Sequence, residues 1–283
     1  MAEEVVDEVI QKVAEAAPHI SSGLMHRREY VGEENPSDER MMEADVWANE
    51  FLQEKITSID GVGEFASEEE EEVIDCGSGL AVAVDPLDGS SNIPTNNLVG
   101  SIISIYDGKL PCSGQNLVAA FYVLYGPLTS LTVARDSRVD EYIIEEGSGD
   151  EVDLHEASKD IQIEGKNVYG FGGNNAWFED FRDLESYFSD RYKLRYGGSL
   201  VGDFNQMLHH GGVFGYPAKE GYENGKYRLI FEGNPMAFIA ETAGGASTDG
   251  GQSILEVEAE ELHQRTPFFA GHTEMVEEIE ERL

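Results

Sequence analysis

Residues 80–92 read LAVAVDPLDGSSN, a short apolar run followed by a polar turn. The small and apolar residues from Leu80 to Val84 predict a strand that is buried on both faces. Because Pro86 cannot donate to a central ladder, we expect the strand to end at Asp85 and the chain to turn there. Asp85 and Asp88 then lie close together at the carboxyl end of a buried strand, where open α/β sheets bind their ligands.

The residues that follow Asp88, GSSN at 89–92, are small and carry two hydroxyls and free backbone N–H groups. Such a segment can wrap an anion, above all when it opens a helix. Carboxylates that hold a hard cation beside amides that hold a phosphate suggest metal-assisted phosphate chemistry. For the pentapeptide DPLDG alone, an ordinary polar turn is an equal alternative.

The composition limits the class of protein and its partners. The chain has 283 residues, of which 40% are hydrophobic, and this suits one or two domains with a sizeable core. Its 56 acidic and 19 basic residues give a net charge of −37, which argues against a nucleic acid or an anionic membrane as partner. The acidic residues are spread along the chain, as expected for a carboxylate-covered surface in an organism that accumulates molar salt. At 1 M salt the Debye length is about 3 Å, so self-repulsion is screened.

Cysteine usage and hydropathy indicate the compartment. Cys76 and Cys112 cannot form a disulfide framework and lack metal-ligand spacing, so a reduced cytoplasmic location is expected. We see no signal peptide and no apolar run near 18 residues, so we expect no membrane span.

The periodicity divides the chain into two parts. Residues 3–17 predict a helix ended by Pro18, a second helix runs to about Tyr30, residues 31–38 form a loop, and 38–56 form a third helix. Four strand-like runs punctuated by glycine then predict consecutive antiparallel strands at 99–106, 117–125, 128–134 and 139–145. From about residue 160 helices and strands alternate, so we place the sub-domains at 1–160 and 161–283.

Several segments resemble one family. DPLDGSSN at 85–92 resembles the signature of class I fructose-1,6-bisphosphatases, within the magnesium-dependent sugar-phosphatase superfamily, whereas the inositol monophosphatase branch prefers DP[I/L]DGT. RYGGSLVGD at 195–203, GGVFGYPA at 211–218 and GKYRLIFEGNPMAF at 225–238 resemble further family motifs. The resemblance implies an α-β-α-β-α layered fold of the α+β or α/β class with mixed sheets. It also implies an N-terminal metal-binding sub-domain and a C-terminal substrate-binding sub-domain.

The resemblance implies a metal site and a water-activating pair. FASEE at 65–69 resembles the family's VSEE, and EADVWANE at 43–50 resembles a segment whose aspartate approaches the metals when a mobile loop closes. Asp45 and Glu69 are therefore the expected catalytic residues, although Asp45 could also be a solvated helix carboxylate. Two or three Mg²⁺ ions are implied, with Mn²⁺ as a substitute. Their ligands would be Glu68, Glu69, Asp85, the Leu87 carbonyl, Asp88 and Glu232.

The resemblance also implies a substrate site for a sugar bisphosphate. Gly89, Ser90 and Ser91 would hold the 1-phosphate, with Asp88 as a further residue of the substrate site. Asn174, Arg195, Tyr196, Tyr216 and Lys226 would bind the distal phosphate and the sugar. Asn174 could instead cap the following helix. Trp177 stands where the family has a tyrosine, so that hydroxyl is missing. The arginine matched by Arg195 reaches into a neighbouring subunit, which implies a homo-oligomer, either a dimer or a tetramer.

The distribution of basic residues supports a second phosphate site independently of the resemblance. Residues 191–228 contain six of the 19 basic residues and only three acidic ones, a charge of +3 in a chain of −37. Arginine and lysine bind phosphate well, and the alternative is chance clustering on the surface.

We therefore expect Mg²⁺-dependent hydrolysis of fructose 1,6-bisphosphate to fructose 6-phosphate and phosphate, a gluconeogenic reaction. The alternatives are a sedoheptulose-1,7-bisphosphatase, an inositol, sugar or nucleotide monophosphatase of the same superfamily, or a non-catalytic phosphate sensor.

Overall fold

The computed structural model describes residues 2–36, 40–149, 151–173 and 176–283. The α-helices of these residues are α1 Ala2–Gly23, α2 Glu43–Thr57, α3 Glu179–Ser189, α4 Leu200–His210, α5 Asn234–Thr242 and α6 Thr273–Glu280. The strands up to residue 160 are β1 Tyr30–Glu34, β2 Arg40–Met42, β3 Val62–Ser67, β4 Ile74–Asp75, β5 Leu80–Asp88, β6 Val99–Tyr106, β7 Leu117–Tyr125, β8 Thr129–Arg135, β9 Arg138–Glu146 and β10 Val152–Ser158. The later strands are β11 Val168–Phe171, β12 Lys193–Leu194, β13 Gly212–Tyr216, β14 Tyr227–Arg228, β15 Ala246–Thr248, β16 Arg265–Thr266 and β17 Phe268–Gly271.

Two mixed sheets organise these elements. The first has eight strands in the order β10-β9-β8-β7-β6-β5-β3-β4, with β3 and β5 parallel and every other pair antiparallel. The second has five strands in the order β12-β11-β13-β17-β15, parallel around β11 and antiparallel around β17. The predicted antiparallel strands β6 to β9 are confirmed.

Side chains that alternate along the strands build three apolar layers. Ile103 and Ile105 of β6 face a core shared with α1 and α2, whereas Ile102 faces a core shared with α4, α5 and the second sheet. The far side of the second sheet packs on α3 and α6 through residues such as Phe171 and Phe269. This period of two is that of a strand buried on both faces. The layers therefore follow the predicted α-β-α-β-α order, and the division into two sub-domains near residue 160 stays a prediction.

Strand β5 departs from the prediction that it would end at Asp85, because it runs to Asp88 with every residue buried. Asp85 pairs with Ile102 but Asp88 pairs with Gly100, so three steps on β5 face two steps on β6. This extra residue is a β-bulge, a position where proline is tolerated inside a sheet. Residues three apart on a regular strand point to opposite faces, and the bulge brings both carboxylates to one side.

The N-terminal prediction was also wrong in part. Helix α1 continues through Pro18 to Gly23, followed by a 3₁₀ turn at Leu24–His26 and the ribbon of β1 and β2. An internal proline costs a helix about 3 kcal/mol, but Ile20 beyond it is fully buried in the core under the first sheet, and this packing holds the last turn. Helix α2 accordingly starts at Glu43 and not at residue 38. Among the described residues no helix is long and apolar enough to cross a membrane.

Candidate active site

Three carboxylates from distant parts of the chain meet in the interior. Glu68 follows β3, Asp85 lies at the bulge of β5, and Glu232 lies in the π-helical turn Leu229–Gly233 before α5. Each offers an oxygen atom within 4.8 Å of the others, and all three side chains are buried. An all-oxygen set of carboxylates is the donor set of Mg²⁺ and similar hard cations. These three predicted metal ligands therefore converge, although they are far apart along the chain.

Burial and mutual repulsion raise the pKa values of this cluster. The pKa of Asp85 lies well above its ordinary value because of burial first and the Glu68 charge second. The same two causes raise the pKa of Glu232 to about 7, and burial raises that of Asp88 to about 6. Concentrated buried negative charge is costly unless a cation compensates it. The cluster therefore fits a divalent metal ion in both its ligand atoms and its charge.

Arg228 lies inside this cluster and was missed as a site residue. Its side chain is 2% exposed, its Nη2 lies 2.9 Å from Glu68 Oε1, and its backbone N–H donates to Glu232 Oε2 at 2.7 Å. The guanidinium is one of the six cations of the basic stretch, but its direction depends on the π-helical turn, which the sequence pattern does not reveal. Arg228 links two carboxylates that would otherwise repel each other.

Asp88 joins the first sheet to helix α4. Its Oδ1 and Oδ2 accept the backbone N–H groups of Leu200 at 3.2 Å and Val201 at 2.8 Å, so it neutralises the free donors of the helix start. Ser199 caps the same helix, since its Oγ accepts from the N–H of Gly202 at 3.0 Å. The next residue, Gly89, has φ of 75°, and a Cβ there would lie 2.3 Å from Ser199 Cβ. Only glycine fits this contact between the two parts of the chain.

The peptide of Gly197 is held from both sides. Its N–H donates to Asp203 Oδ1 at 2.5 Å, and its carbonyl accepts from Asn97 Nδ2 at 2.8 Å and Asn92 Nδ2 at 3.1 Å. Asp203 is buried in the described structure, and burial raises its pKa to about 6. This arrangement, which sequence reasoning did not assign, fixes the loop that carries Tyr196.

A cavity of about 430 Å³ contains most of the predicted site. Asp45 lines it, is 4% exposed and accepts the N–H of Met42 at 2.6 Å, so it is not a solvated helix carboxylate. Arg195 does not line this cavity, and its N–H pairs with the carbonyl of Tyr169. Asn174 lies outside the described residues. The predicted residues that line the cavity are Asp45, Glu68, Glu69, Asp85, Leu87, Asp88, Gly89, Ser90, Ser91, Tyr196, Tyr216, Lys226 and Glu232.

Fold and site together define a layered mixed-sheet protein with a buried carboxylate centre beside a small polar cavity. Residues 8–156 match the family model described as fructose-1-6-bisphosphatase, N-terminal domain, and residues 161–283 match the C-terminal domain. The chain is 47% identical over 282 residues to a protein of Natronomonas pharaonis named fructose-1,6-bisphosphatase class 1, with 98% of both chains covered. A protein of the same name from Halobacterium salinarum is 46% identical, with 99% of this chain and 98% of that protein covered.

The similarity extends to solved structures. The crystal structure of Leishmania major fructose-1,6-bisphosphatase in holo form has a TM-score of 0.86 to this chain at 29% identity, and the match covers 98% of this chain and 92% of the other. Because the family models cover both halves and relatives match along the whole length, the chain belongs to the fructose-1,6-bisphosphatase family.

Proposed function

We propose that this protein hydrolyses the 1-phosphate of D-fructose 1,6-bisphosphate with the help of Mg²⁺, releasing fructose 6-phosphate and phosphate. The observation that carries the proposal is that the carboxylates of Glu68, Asp85 and Glu232, within 4.8 Å of one another, line the same cavity as the phosphate-binding candidates Ser90 and Ser91. The family membership of the chain supports the same activity.

The residues divide the proposed work between the two ends of the substrate. Bound Mg²⁺ would supply Lewis acidity toward the phosphate and toward water. Glu68, Asp85 and Glu232 would hold the cation, together with the remaining predicted ligands Glu69, Asp88 and the Leu87 carbonyl. The N–H groups and hydroxyls of residues 89–91 would orient the 1-phosphate.

Two carboxylates are available to handle the proton. Glu69 and Asp45 both line the cavity, and either would orient the attacking water or accept its proton. Tyr196, Tyr216 and Lys226 line the other part of the same cavity and would bind the sugar and its distal phosphate. Such remote binding energy positions the reacting phosphate in line. Arg195 would complete this end in a homo-oligomer, consistent with its absence from the cavity of a single chain.

Phosphate release at molar salt is the decisive measurement. We expect wild-type protein to release phosphate from fructose 1,6-bisphosphate when Mg²⁺ or Mn²⁺ is present and not when a chelator removes it. Glu232→Gln should lower turnover at least about 100-fold, because substituting even an outer partner of a metal ligand costs 10–100-fold. Glu8→Gln, an exposed position of α1, is the matched control and should behave as wild type.

The substrate panel separates the alternatives. If the protein prefers sedoheptulose 1,7-bisphosphate, the proposed sugar is wrong but the bisphosphatase class stands. If it prefers an inositol, sugar or nucleotide monophosphate, its substrate has no second phosphate for a distal site to bind. A protein that binds Mg²⁺ and phosphate but releases none from any substrate would be a sensor. Wild-type turnover by a correctly folded Glu232→Gln protein would contradict the assignment of the metal centre.

A further inference from the structure

A second cavity adjoins the proposed active site. It has a volume of about 740 Å³ and shares Tyr196 and Tyr216 with the catalytic cavity. Its other lining residues include Gly173, Trp177 and Lys219, none of which belongs to the predicted site. The two tyrosines therefore stand between the metal-centred cavity and this second cavity.

Trp177 cannot donate a hydrogen bond into this cavity in the way that the tyrosine hydroxyl of the family motif would. Its indole Nε1–H donates to the carbonyl of Gly172 at 2.7 Å, so its one polar hydrogen is already engaged. The backbone of Trp177 pairs in an antiparallel bridge with Lys219. Lys219, which carries an ammonium group, therefore lies opposite Trp177, the residue that stands in place of the family's tyrosine.

The Lys219 ammonium is directed toward the shared tyrosine. Its Nζ donates to Tyr216 Oη at 3.0 Å and lies 4.9 Å from the centre of the Tyr222 ring. A Cβ built on Gly173 would lie 3.3 Å from this Nζ, so the ammonium is next to the residue that precedes Asn174 in sequence. The charge therefore lies at the end of the site where the distal phosphate is expected.

The lack of a carboxylate partner for Lys219 is informative in so acidic a chain. Among the described residues none forms an ion pair with Lys219, although the sequence has 56 acidic residues. A partly buried ammonium that has no carboxylate partner in the described part of the chain is available to an anionic ligand. A lysine is well suited to a phosphate because it acts as a compact point charge.

We infer that Lys219 binds the distal phosphate of the substrate and replaces the hydroxyl that is lost at Trp177. The inference rests on the proposed function, since it assigns one more residue to the same substrate. It makes Lys219 a determinant of specificity for bisphosphates over monophosphates. Lys226 Nζ lies 5.6 Å from the centre of the Tyr216 ring. Because Lys226 lines the cavity of the carboxylates and Lys219 does not, Lys226 would bind nearer the metal centre.

The test compares Lys219→Met with wild type at molar salt on two substrates, fructose 1,6-bisphosphate and fructose 1-phosphate. Methionine keeps most of the aliphatic stem and removes the charge. We expect kcat/KM for the bisphosphate, relative to that for the monophosphate, to fall at least 10-fold. The inhibition constant of fructose 6-phosphate should rise by a similar factor, and Lys219→Arg should recover most of both losses. Lys193→Met, an exposed lysine of the same basic stretch, is the control.

The outcomes separate the two claims. If the wild type fails to release phosphate from the bisphosphate, the proposed function itself is wrong. If the wild type is active but Lys219→Met lowers kcat/KM equally for both substrates, or changes it for neither, the assignment of Lys219 is overturned while the proposed function stands. A ratio that falls equally in Lys193→Met would likewise overturn it, because the effect would then reflect the general positive field of the stretch.

Discussion

Arg228 has two opposing effects on the carboxylates that surround it. Its positive charge lowers the pKa values of Asp85 and Glu232, which burial raises. In this way it keeps the ligands closer to the ionised form that a metal needs. At the same time its guanidinium lies against Glu68 and Glu232, so it adds a positive charge where a metal ion would bind. We infer that Arg228 compensates the cluster while no metal is bound.

Removal of this guanidinium should destabilise the metal-free protein far more than the metal-bound protein. With Arg228→Met, Glu68 and Glu232 stay buried without their cation, and loss of one partner of a buried ion pair typically costs about 3–5 kcal/mol. We expect a large drop in the thermal unfolding midpoint in chelator and partial recovery when Mg²⁺ is added. Arg138→Met, which breaks the more exposed pair with Asp140, is the control and should change stability by less than about 1 kcal/mol. Equal losses in the two variants would contradict this account.

The sequence was most informative at the residues whose chemistry is local. Asp85 and Asp88 could be predicted because they stand in one short motif, and the structure places both at the same cavity. Arg228 and Asp203 could not, because their roles depend on which carboxylate or N–H group the folded chain brings to them. The sequence shows Lys219 only as one cation of the basic stretch, and its position opposite Trp177 is visible only in the folded structure.

At the scale of elements, the strands were predicted more reliably than the ends of helices. Glycine or proline marks several boundaries of strands β6 to β9, at Gly108, Gly126, Pro127 and Gly147, so local signals suffice there. The course of α1 through Pro18 and the bulge at Pro86 are decided by packing and pairing with distant segments, and proline alone predicted a break at both. The bulge matters to function, since it turns Asp85 and Asp88 to the same side.

Asp203 of helix α4 should hold the loop that carries Tyr196 in position. We expect Asp203→Ala to raise KM for the bisphosphate several-fold with a smaller change in kcat, because Gly197 and Gly198 lose the acceptors that hold Tyr196 while the carboxylate cluster is untouched. Asp203→Asn keeps one oxygen acceptor and should recover part of the loss. Steady-state kinetics on the three proteins tests this. A fall in kcat alone, or an asparagine variant no better than alanine, would contradict a positioning role.

At the scale of the whole molecule, the layers place the carboxylate cluster where the two halves of the chain meet. Asp85 and Asp88 come from the first sheet, Glu68 directly follows β3, and Glu232 lies in the turn before α5, so neither half contains the complete set. The contact between Asp88 and the start of α4 fixes the two halves to each other. Any condition that separates them should therefore abolish metal binding and substrate binding together.

Low salt should be such a condition. At a net charge of −37 the molecule repels itself, and the Debye length grows from about 3 Å at 1 M to about 10 Å at 0.1 M. We expect the unfolding midpoint to fall by roughly 10 °C or more when KCl is lowered from molar to 0.1 M. Phosphate release should be lost over the same range.

General screening and occupation of the carboxylate cluster can be distinguished in the same experiment. Millimolar Mg²⁺ added at low salt should raise the midpoint of the wild type, since a ligand that binds only the folded state stabilises it. In Glu232→Gln this effect of Mg²⁺ should largely disappear, whereas molar KCl should still stabilise the variant, because screening acts on the whole surface. Full stability of the wild type in dilute buffer without a divalent metal would contradict the role assigned to salt. Equal stabilisation of both proteins by Mg²⁺ would instead show that the ion acts on the surface and not at the buried carboxylates.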